Sequence, residues 1–418
     1  MGDRNLSAAV GIAVGAAAIV LAWWLGGRWR WVLPLGVVAV GVVAALVLRV
    51  PIAPAPARMA SSGLGTLAAS RMAVGVLLGG LGAMTLELLV GGDTGPGSAA
   101  VALGLLAAVP AGMALLTTGM VPLALSVGLL LAMIWVRWQR VAGPQLPIRS
   151  LARQGVLVLA SLLAAAALMP SARLGSAPTV LEAILLAGGV TGLLGVLPFS
   201  AWVGAAIRVG RSEASPWRIW AIPVGVLVGA RLVATSPPGV ALPLQELLLA
   251  LGVASALFWG LRAVLGPSAT RYSRVLAADS GLVCAAVGLG STEGLTAALL
   301  LILAHWLGGA VLGEESGTRS QLLAWIGLSG IPPFGGFAGR ILIVIAAAPV
   351  SFTLVWLLLL GMGLQLAAAA SGMRSTLSST SKTGSWRREL IGLVAAAAIL
   401  VLGLVPGQAL QAVMGLHP

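Results

Sequence analysis

The chain has 418 residues, of which 59% are hydrophobic and only 8% are charged. A soluble globule of this length needs more polar residues to cover its surface, so the composition excludes a soluble protein and indicates an integral membrane protein. The formal net charge is +13, but the arginines are scattered among short connections and form no basic face, so we expect no nucleic-acid partner. The single cysteine, Cys284, lies in an apolar run, which excludes a disulfide framework within the chain and favours a small buried core residue.

Apolar segments of membrane-spanning length follow one another along the chain. A helix crosses a bilayer with about 17 to 25 predominantly apolar residues. We count about fourteen such spans, near residues 8–25, 31–50, 72–91, 98–116, 119–136, 154–169, 179–207, 217–234, 242–265, 274–290, 295–313, 321–347, 351–372 and 388–405. The predicted fold is therefore an all-α integral membrane protein with about fourteen transmembrane helices, set in a bacterial inner membrane and surrounded by the lipid bilayer.

The arginines predict the orientation of these spans. Connections after odd-numbered spans carry most of them, for example Arg262, Arg271 and Arg274 after the ninth span and Arg218 after the seventh. Connections after even-numbered spans carry far fewer. Because positively charged connections stay on the cytoplasmic side, we expect the odd-numbered connections to face the cytoplasm and both termini to face outside.

Two other groups of residues are interpreted as surface features. Tryptophans at span ends, among them Trp138, Trp217 and Trp220, are expected to anchor the protein at the membrane interface. Glu182 and Glu246 lie at predicted helix starts, where a carboxylate complements the helix dipole.

A ten-residue pattern occurs twice, at residues 195–204 in the seventh span and at residues 330–339 in the twelfth. Both copies place Gly, Pro-Phe, an aromatic residue and Gly at the same offsets. Proline and glycine interrupt a helix, and the freed carbonyls then need partners from neighbouring helices or water. The residues expected to form the two breaks are Pro198, Phe199, Pro332, Pro333, Gly335 and Gly336. The copies lie five spans apart, an odd number, which predicts two inverted five-helix repeats with helices 7 and 12 broken.

This pattern divides the chain into four predicted parts. They are helices 1–3 in residues 1–95, the first repeat in residues 96–235, the second repeat in residues 236–373, and a cytoplasmic connection with the last helix in residues 374–418.

Residues 327–340 resemble the signature of the antiporter-like membrane subunits of respiratory complex I, a family that is related to multisubunit cation/proton antiporters and membrane-bound hydrogenases. The resemblance extends from about residue 181 to the C-terminus and includes residues 197–199, 213–216, 274–280 and 404–407. In size the chain is most similar to the N-type subunit. The resemblance implies fourteen helices, termini outside, and a place among other membrane subunits of a multisubunit complex.

The resemblance also implies where ions should move. Members of the family are thought to pass protons along a polar axis made by a glutamate in the fifth helix and lysines in the seventh, eighth and twelfth. This sequence has Leu193 at the seventh-helix position, Ile222 or Pro223 at the eighth and no carboxylate in the fifth span. Only the twelfth-helix position keeps a charge, as Arg340, and arginine stays protonated at any working pH.

Five ionisable residues inside the spans are candidates for a proton pathway: Arg340, His305, Asp279, Arg231 and Glu87. Arg340 is either buried or reaches the interface from a helix end. Asp279 and Arg231 either pair across neighbouring helices or lie near helix ends. His305 either titrates near neutral pH or stays neutral and hydrogen-bonded. Glu87 either replaces the missing fifth-helix carboxylate or lies at the interface.

Three functions stay open. The first is a membrane-arm subunit of a complex I-like assembly of the NADH:quinone oxidoreductase type, contributing to proton translocation without catalysing redox chemistry. The second is a non-conducting structural or docking subunit of a larger membrane complex. The third is the membrane partner of an ion-driven uptake system. In each case we expect no cofactor and no metal on this chain, because it lacks the cysteines and histidines that clusters and haem need.

Overall fold

The computed structural model describes residues 106–116, 120–142, 148–173, 179–200, 217–312, 318–378 and 386–404, together with single residues between 76 and 83 and between 202 and 205. Every element in this part of the chain is helical. In chain order the helices are α1 (Ala108–Leu116), α2 (Met120–Ala142), α3 (Ile148–Arg173), α4 (Thr179–Leu194), a π-helix (Trp217–Ala221) that continues into α5 (Ile222–Thr235), α6 (Pro238–Leu265), α7 (Ser268–Gly288), α8 (Thr292–Val311), α9 (Thr318–Ser329), α10 (Gly335–Ala347), α11 (Phe352–Ser378) and α12 (Trp386–Leu404).

By length and composition, four segments of the described part are suited to crossing a membrane: Trp217–Thr235, Pro238–Leu265, Thr292–Gly309 and Phe352–Ser378. Shorter apolar helices lie between them. The prediction of an all-α, multi-pass membrane protein is confirmed. The number of fourteen helices, the inverted repeats and the four-part division stay predictions, and the first three spans lie largely outside the described residues.

Both predicted breaks are present. Helix α4 ends before Gly195, whose φ is 69°, and α9 ends before Gly330, whose φ is 78°. These left-handed φ values favour glycine, because a β-carbon would collide with the backbone. A cis peptide bond precedes Pro198 in the first break and Pro333 in the second. In the second break the chain becomes helical again at α10, so α9 and α10 share one predicted span.

Side chains from neighbouring helices satisfy the carbonyls that the first break frees. Gln154 on α3 donates from Nε2 to Gly192 O at 3.0 Å and to Phe199 O at 2.7 Å. Trp217 donates from Nε1 to Leu193 O at 3.1 Å. The expectation that neighbouring helices would supply these partners is confirmed here.

The interfacial interpretation is wrong for Trp138, Trp217 and Trp220, which are all fully buried. Trp217 packs on the turn at Gly195, where an added β-carbon would lie 2.6 Å from its ring. Trp138 packs against Trp202 with ring centroids 5.6 Å apart. The bundle accepts these indoles because small residues leave room for them, so a tryptophan near a span end is not always at the interface.

Helices α6 and α7 pack backbone against backbone. A β-carbon added at Gly252 would lie 2.4 Å from Ala285 N, and one added at Gly281 would lie 2.5 Å from Ala256 N. Small residues at a helix crossing allow this close approach in membrane bundles. The contact fixes the position of α7, which carries the central carboxylate of the site described next.

Candidate functional site

A buried ion pair joins α7 and α10. Arg340 is 5% exposed and Asp279 only 1%. Arg340 Nη2 lies 2.9 Å from Asp279 Oδ1 and 3.3 Å from Oδ2. Asp279 is near the middle of α7 and Arg340 is enclosed by the bundle, so the two helix-end alternatives are wrong. The pairing is expected physically, because an isolated charge in an apolar interior is very costly.

Arg340 also connects this pair to the second break. Its Nη2 donates to Gln365 Oε1 on α11 at 2.8 Å. Its Nη1 donates to Leu328 O at 2.9 Å and to Gly336 O at 3.4 Å, on the two sides of the break. One guanidinium therefore joins backbone carbonyls on both sides of the break to the charge of Asp279.

His305 on α8 completes the cluster. It is 4% exposed, and its Nε2 lies 2.5 Å from Asp279 Oδ2. Because the carboxylate is the acceptor for Arg340 as well, we assign the proton of this contact to Nε2. Nδ1 is buried and has no hydrogen-bond partner among the described residues. It is then the atom of His305 that can accept a second proton.

A small cavity of about 10 Å³ borders His305 and Asp279. It is comparable to the space that one water molecule occupies. Its lining consists of Arg218, Ile222, Leu276, Asp279, Ser280, Val283, Ile302 and His305.

Arg218 lies across this cavity, on the π-helix. It is 2% exposed, and its Nη1 donates to Tyr272 Oη at 2.9 Å. The Tyr272 ring lies 6.3 Å from the His305 ring, centroid to centroid. Arg218 therefore lies in a helix with its side chain inside the bundle and not in the connection after the seventh span, whereas the side of the membrane it is on stays a prediction. Single π-turns of this kind recur at functional sites.

The cluster combines two guanidinium groups, one carboxylate and one imidazole. Arg218 and Arg340 keep their protons at any working pH, since a guanidinium does not release them. Asp279 accepts hydrogen bonds from Arg340 and His305, which favour its charged form. Histidine is the residue type that exchanges protons near neutrality. The arrangement places the His305 imidazole beside this carboxylate and on a cavity the size of one water molecule.

The remaining candidates lie elsewhere. Arg231 on α5 donates to Leu115 O at 3.4 Å and to Ala114 O at 3.5 Å, at the C-terminal end of α1. The predicted pairing of Asp279 with Arg231 is wrong, because Arg340 and His305 take up that carboxylate. Glu87 lies outside the described residues.

Among the described residues, the first break is less polar than the second. Leu193, at the implied seventh-helix lysine position, is buried, and so is Ala205, which corresponds to Arg340 in the repeated pattern. Helix α2 carries no carboxylate. Glu182, in the first turn of α4, is fully buried, so its interpretation as a surface residue is wrong.

Sequence reasoning missed Gln365, Tyr272 and Arg218 as members of the cluster. Gln365 is an amide within an otherwise apolar span, and polar side chains in spans usually bond across helices. Tyr272 is the only tyrosine of the chain. Arg218 precedes Ile222 by four residues, one helical turn from the implied lysine position. These three signals are present in the sequence, although none shows what the side chains contact.

The described helices thus define an all-α membrane protein with two broken helices and a buried polar cluster at the second. Solved structures of several membrane complexes contain chains with this fold, among them the following three. A chain of respiratory complex I from Thermus thermophilus with bound aureothin has a TM-score of 0.72 and 20% identity, and the match covers 97% of this chain and 99% of that one. A chain of the Mrp complex from Dietzia sp. DQ12-45-1b has a TM-score of 0.76 and 17% identity, covering 98% of this chain and 51% of that one. A chain of the membrane-bound sulfane sulfur reductase, an archaeal respiratory membrane complex, has a TM-score of 0.73 and 15% identity, covering 96% and 76%.

These matches show the fold of the chain, which is the fold that its resemblance to the antiporter-like subunits predicted. The narrower similarity to the N-type subunit stays a prediction. No protein-family model and no curated protein sequence matches the chain.

Proposed function

We propose that this chain is a membrane subunit of a multisubunit, complex I-like assembly of the NADH:quinone oxidoreductase type, and that it contributes to proton translocation. The observation that carries the proposal is the buried hydrogen-bonded series Gln365, Arg340, Asp279 and His305, which crosses four helices inside an apolar bundle. Ionisable side chains within a membrane bundle are costly and usually line an ion pathway.

In this proposal His305 is the loading site. Protonation at Nδ1 creates an imidazolium that Asp279 stabilises through Nε2. The same step leaves the group of Arg340, Asp279 and His305 with one uncompensated positive charge in a low-dielectric surrounding. In this proposal the proton then leaves His305, whereas Arg340 keeps its charge throughout. Redox cofactors of the assembly would belong to partner subunits.

The test is proton transport by the native assembly in proteoliposomes, measured with a pH-sensitive dye per electron transferred. His305→Gln keeps a hydrogen-bond donor for Asp279 but removes the titrating group, so we expect proton uptake to fall to about a tenth or less. Arg374→Gln, at an exposed position on α11, is the matched control and should transport normally. An unchanged proton-to-electron ratio in the His305→Gln assembly would reject the proposal.

A second function, a non-conducting structural subunit, is favoured by the apolar first break. Leu193 and Ala205 leave no charge where the resemblance implies a conducting half, and Arg340 is permanently compensated by Asp279. Removing the whole chain from the assembly separates the two functions. An inert scaffold alters assembly but not the proton-to-electron ratio, whereas a conducting subunit alters that ratio.

A further inference from the structure

Three arginines flank the turn that joins α6 to α7: Arg262 in the last turn of α6, and Arg271 and Arg274 in the first two turns of α7. Arg262 is exposed and the other two are half-buried. In the part of the chain that the structure describes, no carboxylate lies within ion-pairing distance of any of them. Among the described residues, these three positive charges are therefore uncompensated, and they lie within thirteen residues of chain.

Backbone carbonyls hold two of these guanidinium groups in place. Arg274 Nη1 donates to Arg262 O at 2.9 Å. Arg271 donates from Nε to Ala263 O at 3.4 Å and from Nη2 to Gly266 O at 3.3 Å. These carbonyls belong to the C-terminal end of α6, which attracts cations. The hydrogen bonds keep Arg271 and Arg274 near Arg262 although the three like charges repel one another.

Gly266 provides the space for this arrangement. A β-carbon added there would lie 1.3 Å from Arg274 Nη1 and 2.7 Å from Arg262 O. Any other residue would displace the Arg274 guanidinium. We call the unit formed by Arg262, Gly266, Arg271 and Arg274 the arginine turn.

Apolar side chains adjoin the arginine turn on α6. Phe258, Leu261 and Leu265 are 39%, 48% and 77% exposed. The guanidinium carbon of Arg262 lies 5.3 Å from the centroid of the Phe258 ring, a cation–π contact that orients the charge beside this apolar strip.

The N-terminus of α7 lies at the same turn. The helix begins at Ser268, and no side chain caps its first backbone N–H groups. Its positive dipole end therefore adds to the charge of the three arginines.

We propose that the arginine turn binds the phosphate of an anionic phospholipid, with the acyl chains lying along the exposed side chains of Phe258, Leu261 and Leu265. The positive-inside rule requires only that positive charge be present in this connection. It does not require guanidinium groups fixed by backbone hydrogen bonds over a glycine and set beside an exposed apolar strip. Phosphate on the positive turn and hydrocarbon on the apolar strip match the two chemistries of a lipid headgroup region.

The experiment measures lipid affinity of the purified full-length chain in neutral detergent by thermal shift and native mass spectrometry. The ligands are dioctanoyl phosphatidylglycerol, dioctanoyl phosphatidylcholine and inorganic phosphate. Each basic side chain near a membrane surface contributes enough to change affinity by about fivefold. We therefore expect the Arg262→Gln, Arg271→Gln, Arg274→Gln triple variant to bind phosphatidylglycerol about a hundredfold more weakly than the unmodified chain.

Two further variants sharpen the test. Gly266→Ala keeps all three charges but displaces the Arg274 guanidinium, so it should also weaken phosphatidylglycerol binding. Arg319→Gln removes one exposed charge from a connection predicted on the same side and should leave binding unchanged. Gel filtration and far-UV circular dichroism check that each variant is folded.

Several results would overturn the proposal. They are equal affinity for phosphatidylglycerol and phosphatidylcholine, equal affinity for inorganic phosphate, and a triple variant that binds lipid normally. Loss of a partner subunit from the native complex of the triple variant, with lipid binding intact, would assign the turn to an acidic protein segment instead.

Discussion

At the scale of residues, Asp279 is the centre of the site. It is the acceptor for Arg340 at 2.9 Å and for His305, and its negative charge compensates the guanidinium of Arg340. Replacing both partners of a buried ion pair with apolar residues usually changes the free energy of unfolding little. Removing only one partner is costly, because it leaves an uncompensated charge in the interior. The energetic coupling between Arg340 and Asp279 can therefore be measured by comparing single and double variants.

Asp279→Asn should destabilise the protein by about 3–5 kcal/mol, because Arg340 stays buried without a counter-charge. Adding Arg340→Met to this variant should restore most of the loss, since the remaining group is neutral and of similar length. Thermal unfolding in detergent checks both effects, and Glu246→Gln, at an exposed site on α6, should change nothing. If the stability losses of the two single variants simply add in the double variant, Arg340 and Asp279 do not stabilise each other.

The sequence predicts part of this cluster. Arg340, Asp279 and His305 stand out because ionisable residues are rare in spans. The rotation of α7, α8 and α10 about their axes determines which of these side chains contact one another. Small residues such as Gly281 set that rotation through helix packing. Local sequence carries no such information, and for this reason the sequence suggests Arg231 as the partner of Asp279, whereas the structure pairs Asp279 with Arg340.

At the scale of elements, the crossing of α6 and α7 determines where the site lies. Their glycines face backbone atoms of the opposite helix, so the crossing has no space for even one methyl group. Span limits predicted from hydropathy come close to the observed helices in this region. The predicted tenth span begins at residue 274, whereas α7 begins at Ser268, because Arg271 and Arg274 lower the local hydropathy without ending the helix.

Gly281→Ala should destabilise the protein by about 1–3 kcal/mol, since its methyl group would have to push α6 away from α7. Gly363→Ala on α11 is the matched control, because nothing lies within 4 Å of its added β-carbon. That change removes a flexible glycine from a helix and should be neutral or stabilise by about 0.5–1 kcal/mol. The measurement is the denaturation midpoint of each variant. Equal midpoints would show that the close packing of α6 on α7 does not contribute to stability.

At the scale of the whole molecule, the two breaks have a similar backbone conformation but different polar side chains around them. Glycines of positive φ and Pro-Phe pairs occur in both, which is why the repeated pattern and the resemblance could predict the fold at only 15–20% identity to solved structures. The polar partners differ, since Gln154 donates hydrogen bonds to carbonyls of the first break and Arg340 donates to carbonyls of the second. Backbone geometry is thus recoverable from Gly and Pro spacing, whereas the polarity of a site depends on single substitutions.

The arrangement of the two breaks depends on α9 and α10 forming one crossing of the membrane, and cysteine labelling tests this. The arginine distribution places Ser268, between α6 and α7, on the cytoplasmic side and Ser351, between α10 and α11, on the opposite side, since three predicted spans separate them. In inside-out and right-side-out vesicles, a membrane-impermeant maleimide should label Ser268→Cys and Ser351→Cys from opposite sides. The native Cys284 is fully buried and should stay unlabelled, giving a silent background. Labelling of both sites from one side would show that α9 and α10 form a re-entrant segment and not one crossing. The five-span separation of the two breaks would then no longer imply an inverted repeat.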